Sequence, residues 1–518
     1  MAVDTLMFAV ITLVYLGVVI FLGYIGYRQT KGSDDYLVAG RKINPVVLAL
    51  SYGATFISTS AIVGFGGISA QLGMGLVWLT VLCIGVGVLV AFILFGKKTR
   101  SLGHKTGALT YPDLLGKCYQ SAFIRKITAL IIIVSMPIYT AAILIGGARF
   151  IEATLSIPYD TALLAFAAVV ALYVVLGGLI AVMYTDALQG AIMFIGMTIL
   201  LVLTYTYLGG VVVANSALDT LAPLVPENLA AAGMTGWASM PEFLSPIWLT
   251  MITTMVLGVG IGVLAQPQLA VRFMTVKDSR SIHRAVLIGG PFVLMMTCVA
   301  FTVGPLTNVW FMQKNGMLAF DAAGGNVDSI IPLYINSAMP DLFIIIFMLA
   351  LLAAAMSTLS SLFHTMGTTI GYDLNPLVKN RKPSMKAIQL GTLAMIVVST
   401  VVAYALPENI IARATVIFMG LCAASFIPAF AHALYAEKPS VSAAKVSITA
   451  GALSWFLWTA FVHVKESSVL GISDALFGVQ SVLPMPWGVV NPIVIALPIS
   501  AVALLAVLVI QKRASTTS

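Results

Sequence analysis

Charge is scarce in this sequence. Only 9% of its 518 residues are Asp, Glu, Lys or Arg, while 60% are hydrophobic; a water-soluble chain carries roughly 25% charged residues. A soluble globular domain is therefore excluded, which leaves a polytopic, all-α membrane protein. Cysteine is scarce too. Cys83, Cys118, Cys298 and Cys422 stand far apart with no CxxC pair, so neither a disulfide framework nor a zinc site is implied. The net charge of +8 is no nucleic-acid footprint, because the positive residues are spread over several short loops. Acidic groups are nearly absent from the apolar runs: of 19 Asp and Glu, only Asp186, in YTDALQGAIMF, falls inside one.

A helix needs about 20 apolar residues to cross a bilayer. By that measure thirteen spans are expected, at 7–27, 45–70, 76–96, 127–149, 160–180, 184–206, 247–265, 286–311, 340–371, 387–406, 410–436, 441–464 and 489–510. The first run is preceded by Asp4 rather than by a positive segment, and Arg28 and Lys31 follow it. It is expected to remain as a helix with its N-terminus outside, not to act as a signal peptide. In that orientation the inside segments 28–44, 97–126, 266–285, 372–386, 437–445 and the C-terminus hold 23 of the 27 Lys and Arg. Only Arg149, Lys314, Arg413 and Lys465 are left outside, the asymmetry of a chain oriented by the positive-inside rule. Only QKRASTTS follows Ile510, so no soluble output domain is expected.

Within the run from Leu342 to Ile370 lies LLAAAMSTLSS, residues 351–361. Ser357, Thr358, Ser360 and Ser361 put four hydroxyls within about a turn and a half of helix, next to small alanines. Clustered hard oxygens without a carboxylate, Lys or Cys suit a small hard cation; close packing of helices through small residues is the alternative. Asp186 either caps the start of the sixth span or marks a functional site, because an ionisable group in the membrane is costly. His364 is expected to be a packed or cavity-facing residue, having no second ligand nearby.

Two spans differ from the rest. The second reads SYGATFISTSAIVGFGG from Ser51 to Gly67, and the seventh reads GVGIGVLAQP from Gly258 to Pro267. Both are expected to break in mid-membrane, since Gly and Pro free backbone groups that need partners. Spans two to six and seven to eleven then form two five-helix blocks, each opening with a broken helix and inverted in topology. Paired interruptions of this kind point to a carrier's binding site, although glycine-rich spans also pack closely. The expected organisation is one membrane-transport domain, 1–518. It comprises an extra helix at 7–27, inverted repeats at 45–206 and 247–436, and two extra helices at 441–510. The loop TGALTYPDLLGK around Tyr111 is expected to be a short re-entrant or surface helix, and 207–246 to cover the outer mouth.

Several stretches resemble the sodium:solute symporter family: DDYLVAGRKINPVVLALSYGATFIS, GGARFIEAT, YVVLGGLIAVMYTDALQG, QPQLAVRFM and AAAMSTLSS. The resemblance runs over nearly the whole chain. It implies thirteen helices around a leucine-transporter-like core, and uptake of a small organic solute coupled to Na+. It also implies a common sodium site, made by carbonyls of Ala54, Ile57 and Ala354 and hydroxyls of Ser357 and Thr358. A second sodium site, known in some members, would use Asp186, Ser357, Ser360 and Ser361. Where proline-transporting members carry an Asp in the second helix this chain has Phe56, and for their Trp and Tyr in the seventh it has Val259 and Val263. Tyr139 does match their pattern. The ATFISTSAIVGFGG and DSRSIHRAVLIGG segments look closer to pantothenate and monocarboxylate members.

The expected pocket is apolar, with no fixed carboxylate to meet an ammonium group. A carboxylate substrate would be met by Thr55, Ser58, Thr59, Ser60 and half-helix N–H groups, unless those hydroxyls bond their own helix. The function expected is sodium-coupled import of a carboxylate such as pantothenate or a monocarboxylate. Proline symport and a proton-coupled carrier using Asp186 are the alternatives. A channel would want a filter repeated by symmetry, and an enzyme a nucleophile or metal constellation; the sequence has neither. The expected partners are the solute and the lipid bilayer of the cell membrane, with no nucleic acid and no obligatory protein.

Overall fold

The computed structural model describes residues 5–375, 384–407 and 409–517; residues 376–383 of the inside segment expected at 372–386 lie outside the described residues. The described chain is helical, with no strand. Its principal helices are α1 (Thr5–Gln29), α2 (Pro45–Phe56), α3 (Ser60–Leu72), α4 (Met74–Thr106), α5 (Ala122–Leu155) and α6 (Tyr159–Tyr207). There follow α7 (Pro246–Ala265), α8 (Ser279–Asn315), α9 (Asp341–Thr368), α10 (Met385–Ala405), α11 (Ile411–Tyr435), α12 (Val441–Phe461) and α13 (Ile493–Thr517). Among the described residues, ten helices are long and apolar enough to cross a membrane, or twelve with each of two bent pairs taken as one span, and Tyr159–Leu172 is a shorter apolar helix. These fall where the thirteen spans are expected. Spans five and six share the single element α6, whose chain turns at Gly178 (φ 63°).

Local chemistry starts these helices. Asn44 accepts from Val46 N (2.9 Å) ahead of Pro45 at the first turn of α2. Ser121, Asp278, Ser384 and Ser440 cap α5, α8, α10 and α12 in the same way. Each gives an orphan N–H of the first turn an acceptor. All five lie on the Lys- and Arg-rich side.

The core is organised around α9. Every residue from Ala350 to Thr368 is buried, as expected of a helix that is apolar on all faces. Small residues let its neighbours close in. A Cβ on Gly196 of α6 would stand 2.7 Å from the Ala350 methyl, and one on Gly190 would stand 3.2 Å from the Leu50 carbonyl of α2. Peripheral helices α1, α10, α12 and α13 turn Leu13, Leu390, Leu453 and Val502 outward, the surface a lipid environment requires.

Of the two expected breaks, one falls where the sequence places it. The helices α2 and α3 meet at 51° across Ile57–Thr59, with Ile57 extended (ψ 101°). The seventh span is different, and the expectation of a mid-membrane break there is corrected. It stays helical to Ala265, and the chain leaves the helix only at Gln266 (ψ 120°), before Pro267. Its glycines are packing points. A Cβ on Gly258, Gly260 or Gly262 would lie 2.6–2.7 Å from Val416, Leu82 or Met419, so the missing side chains admit α4 and α11.

The 207–246 segment includes the helices Val211–Thr220 and Glu227–Ala231 and packs onto the α3–α4 junction, where Met74 N donates to the Trp237 carbonyl (2.7 Å). Around Tyr111 there is a short helix, Tyr111–Cys118, capped by Thr110.

Gly67 offers a test of this packing. Its Cβ would lie 2.1 Å from the Val327 carbonyl oxygen, whereas one on Gly85 meets nothing within 4 Å. Gly67→Ala is expected to destabilise by about 1–3 kcal/mol through overpacking. Gly85→Ala should be neutral or stabilising by up to about 1 kcal/mol. Thermal melting of the two purified variants measures the difference.

Candidate functional site

The break in α2 strands the carbonyls of its last turn, which have no helical N–H to accept. Hydroxyls of α9 answer them. Ser357 Oγ donates to the Ala54 carbonyl (2.8 Å) and, within α9, to that of Ala354 (3.1 Å). Thr358 Oγ1 lies 3.1 Å from the Thr55 carbonyl and 3.5 Å from that of Ala54. Ser357, Thr358 and Ala54 are wholly buried. Five oxygens from two helices thus converge with no anionic group among them, and Ile57 adjoins them at the break.

A second cluster lies one turn along α9, and it is charged. Asp186 is fully buried in mid-α6, well inside the helix and not at its cap. Its Oδ1 accepts from Ser360 (3.2 Å), and its Oδ2 from Ser51 (2.9 Å), Thr55 (3.3 Å) and Ser361 (3.5 Å). Ser357 meets this cluster through its backbone, its carbonyl accepting from Ser360 (3.0 Å) and Ser361 (2.9 Å), while its hydroxyl faces the first cluster.

Into this second cluster reaches Arg272, which the sequence reading left among the loop cations. Its guanidinium is 1% exposed and pairs with Asp186 Oδ2 at 2.7 Å. It donates to Thr55 Oγ1 (2.6 Å), Ser51 Oγ (3.0 Å), the Gln268 carbonyl (2.6 Å) and Ser361 Oγ. A cation bonded on every side meets the general requirement for a buried charge. The break at Gln266–Pro267 lets the chain fold back so that an Arg beyond the span enters it. Beside it, Gln268 Nε2 donates to Gln266 Oε1, leaving Gln266 Nε2 and Gln268 Oε1 buried without partners. On α6, Gln189 Nε2 donates to Tyr15 Oη of α1 (3.0 Å).

On the other side of the break is a cavity of about 20 Å³, lined by Phe56, Ser58, Ser60, Tyr139 and Val259, among others. Three of the expected pocket residues are not on its wall. Thr55 turns to Asp186, Thr59 bonds the Ile143 carbonyl (3.3 Å), and Val263 packs toward Gly87. The sequence reading missed Thr297 and Phe301 of α8, and Thr415 and Met419 of α11, which do line it. Thr297 and Thr415 bond their own helices (2.8 and 2.9 Å) and so are already satisfied. Ser60 Oγ is not, being buried with no hydrogen-bond partner, and the buried Tyr139 Oη has only the Ser58 side chain beside it. The N–H groups of Ser60, Ala61 and Ile62 are taken by Ser58 oxygens, so side-chain hydroxyls remain as the donors on offer. No Asp or Glu lines this cavity. His364 packs against Tyr36, ring centres 5.4 Å apart.

A broken helix clasped to a buried partner, with oxygen clusters and a small cavity at the break, is the core of a leucine-transporter-like membrane carrier. Over 96% of both chains the fold matches a Na+-coupled sialic acid symporter in a substrate-bound outward-open state (TM-score 0.71, 17% identity). The sequence model of the sodium:solute symporter family matches residues 36–451. The chain belongs to that family, whose coupling ion is Na+. It is 28% identical to the sodium/pantothenate symporter of Haemophilus influenzae, over 90% of this chain and 94% of that one. It is 27% identical to the osmoregulated proline transporter OpuE of Bacillus subtilis, over 89% and 90%. The sodium/proline symporter of Escherichia coli is 28% identical, over 86% and 87%.

The Arg272–Asp186 pair carries its own test. Arg272→Gln leaves a buried carboxylate uncompensated and is expected to cost about 3–5 kcal/mol. Adding Asp186→Asn should recover part of that loss, with a coupling of about 1–3 kcal/mol. Equilibrium unfolding of the two single variants and the double variant in mixed micelles gives the cycle; additive losses would dissociate the two groups.

Proposed function

We propose that this protein imports a small organic carboxylate across the cell membrane together with sodium. The observation that carries the reading is the meeting of α2 carbonyls and α9 hydroxyls next to a cavity that offers the Ser60 and Tyr139 hydroxyls and no acid. In the proposed orientation the N-terminus is outside and the C-terminus inside, with inverted repeats at 45–206 and 247–436.

Sodium is taken at the first cluster. The carbonyls of Ala54, Ile57 and Ala354 and the hydroxyls of Ser357 and Thr358 are neutral dipoles, suited to a monovalent ion that needs no anionic cage. When the ion is bound, the two hydroxyls turn lone pairs to it instead of protons to the carbonyls, and α2 stays tied to α9. That fixes Ile57 and Ser58 on the cavity wall, so sodium favours solute binding and the solute favours sodium by the same factor. The membrane potential adds about 2.3 kcal/mol per charge per 100 mV to inward movement.

The second cluster is proposed as a conditional sodium site. Asp186, Ser360, Ser361 and the Ser357 carbonyl have the right chemistry, but the guanidinium of Arg272 stands among them. Two unit charges about 4 Å apart repel by roughly 4 kcal/mol at an effective dielectric near 20, so a sodium ion there requires Arg272 to withdraw.

The substrate class rests on the cavity. Tyr139 and Ser60 can each donate to a carboxylate, and no acid is present to meet an ammonium group. This favours pantothenate or a monocarboxylate, while the relatives support pantothenate and proline alike. A cavity of about 20 Å³ has room for one water and no organic solute, so its walls must part for loading.

Two experiments test the reading. In proteoliposomes with an inward sodium gradient, a potassium gradient or a pH gradient alone, uptake of labelled pantothenate, pyruvate, acetate and proline is compared. Sodium-driven uptake of one non-amino carboxylate is expected. Proline uptake would overturn the cavity argument, and uptake driven only by pH would overturn sodium coupling. Ser357→Ala and Thr358→Ala are each expected to raise the sodium concentration for half-maximal uptake about tenfold, the loss of one such ligand being on the order of 1.4 kcal/mol. An unchanged sodium dependence in both variants would remove the first cluster from the ion's path.

A further inference from the structure

On the face of α11 turned away from the solute cavity, α5, α11 and α12 leave an apolar cleft of about 510 Å³ between them. Leu130, Val134 and Ile138 line it at four-residue intervals on α5, as do Arg413, Ile417 and Leu421 on α11. The cleft opens sideways, since Leu130 (50%), Val134 (64%) and Phe456 (47%) remain exposed. On a membrane-embedded surface such a cleft meets acyl chains, not water. The eight residue steps from Arg413 to Leu421 rise about 12 Å, close to the roughly 15 Å hydrocarbon depth of one leaflet.

Its polarity is confined to one end. Ser135 and Thr459, within the cleft, bond their own helices (2.7 and 2.8 Å). At the end where α11 begins, Glu466 has both oxygens engaged, by Arg413 Nε (3.3 Å) and His463 Nδ1 (2.7 Å). Arg413 Nη2 donates to the Lys465 carbonyl (3.1 Å), and among the described residues its Nη1 has no partner. Of the charged groups described at this mouth, Arg413 and Lys465 therefore face a single, fully engaged carboxylate. The helix Val464–Leu470, bent by 83° from α12, roofs the mouth and lies across the bundle, at the level of lipid head groups if α12 follows the membrane normal.

We propose that this cleft binds one phospholipid of the surrounding bilayer, its acyl chain along Ile417 and Leu421 and its phosphodiester on Arg413. With Nε and Nη2 engaged, Nη1 is left to donate a charge-assisted hydrogen bond to a phosphate oxygen, which fixes the head group at the mouth and the chain in the cleft. The lipid lies against the back of the solute cavity. Ile417 and Leu421 face the lipid, while Thr415 and Met419 of the same helix face the cavity. The inference stands apart from the choice of substrate and from the sodium sites.

Native mass spectrometry of the full chain in mild detergent tests it, with dioleoyl phosphatidylglycerol, dioleoyl phosphatidylcholine or dioleoylglycerol added. The wild type is expected to retain one phospholipid and no diacylglycerol. Val134→Trp, at an exposed position that fills the cleft, should abolish retention. Arg413→Gln should weaken it about tenfold, as for loss of one charge-assisted hydrogen bond. Val202→Trp, at an exposed position on α6 outside the cleft, controls for surface bulk and should retain lipid like the wild type. The proposal is overturned if Val134→Trp and Arg413→Gln hold lipid as the wild type does, or if Val202→Trp loses it equally. It is also overturned if diacylglycerol is held as well as phospholipid, or if the cleft is occupied by a second copy of the chain.

Discussion

The constraint on which this structure depends is the hydrogen bonding of α2 where it breaks. In a hydrocarbon environment each unsatisfied backbone group costs several kcal/mol, so the carbonyls of Ala54 and Thr55 must find donors that their own helix no longer supplies. Ser357 and Thr358 of α9 are those donors. For their short side chains to reach, the two backbones must approach closely, as they do where the Ala54 carbonyl stands 2.8 Å from Ser357 Oγ. α6 then approaches both helices closely, α2 at Gly190 and α9 at Gly196. The break, the hydroxyl stripe and the small residues are one device.

That device is also suited to exchange. A hydroxyl donating to a carbonyl and the same two oxygens facing a monovalent cation are alternatives of similar local geometry, because both leave every dipole satisfied. Under the proposed function, the ion replaces a pair of hydrogen bonds without leaving orphaned groups behind, so neither state is trapped. The charged cluster works by a different rule. Asp186 in a dry bundle demands a cation, and Arg272 supplies one covalently tied to the chain just beyond the Gln266–Pro267 break. Any ion entering there must displace a partner that is always at hand, so the occupancy of that cluster is bound to the position of the segment that carries Arg272.

How much of this the sequence discloses depends on whether a feature's chemistry has one use or two. The spans have essentially one reading, whereas the hydroxyl stripe and the lone intramembrane acid each have two, packing or capping against ion binding; in the bundle Ala54, Ser357 and Thr358 meet in one cluster and Asp186, Ser360 and Ser361 in the next. Glycine has two. In the second span it accompanies a break, while at Gly258, Gly260 and Gly262 it admits neighbouring side chains, and composition alone does not separate these cases. Arg272 escaped because the charge asymmetry that orients the chain assigns every Lys and Arg near a span end to a loop. The signal that identifies it is the converse demand: a buried Asp with no cation in its own span must borrow one from a neighbouring segment. Thr55 and Ser58 are three residues apart and would share a helical face, but the turn at Ile57 lies between them. One therefore faces the charge cluster and the other the cavity.

The cavity shows how buried hydroxyls can be sorted by what they already bond. Thr297 and Thr415 donate back to their own helices and thereby keep polar atoms quiet on an otherwise apolar wall. Tyr139 cannot do this, because its hydroxyl stands at the end of a rigid ring that stacks on Phe418 at 5.3 Å, and Ser60 sits where the first N–H groups of α3 are already taken by Ser58. A buried hydroxyl without a partner costs about 1–3 kcal/mol, a burden that folding alone does not explain at Ser60. Under the proposed function, a solute with two acceptor oxygens engages Ser60 and Tyr139 together, a property that a carboxylate has and an ammonium group lacks. With no acid on these walls, the desolvation of a cation there would go uncompensated. Under the proposed function, selectivity then follows less from what the pocket offers than from the one class of charge it can leave satisfied.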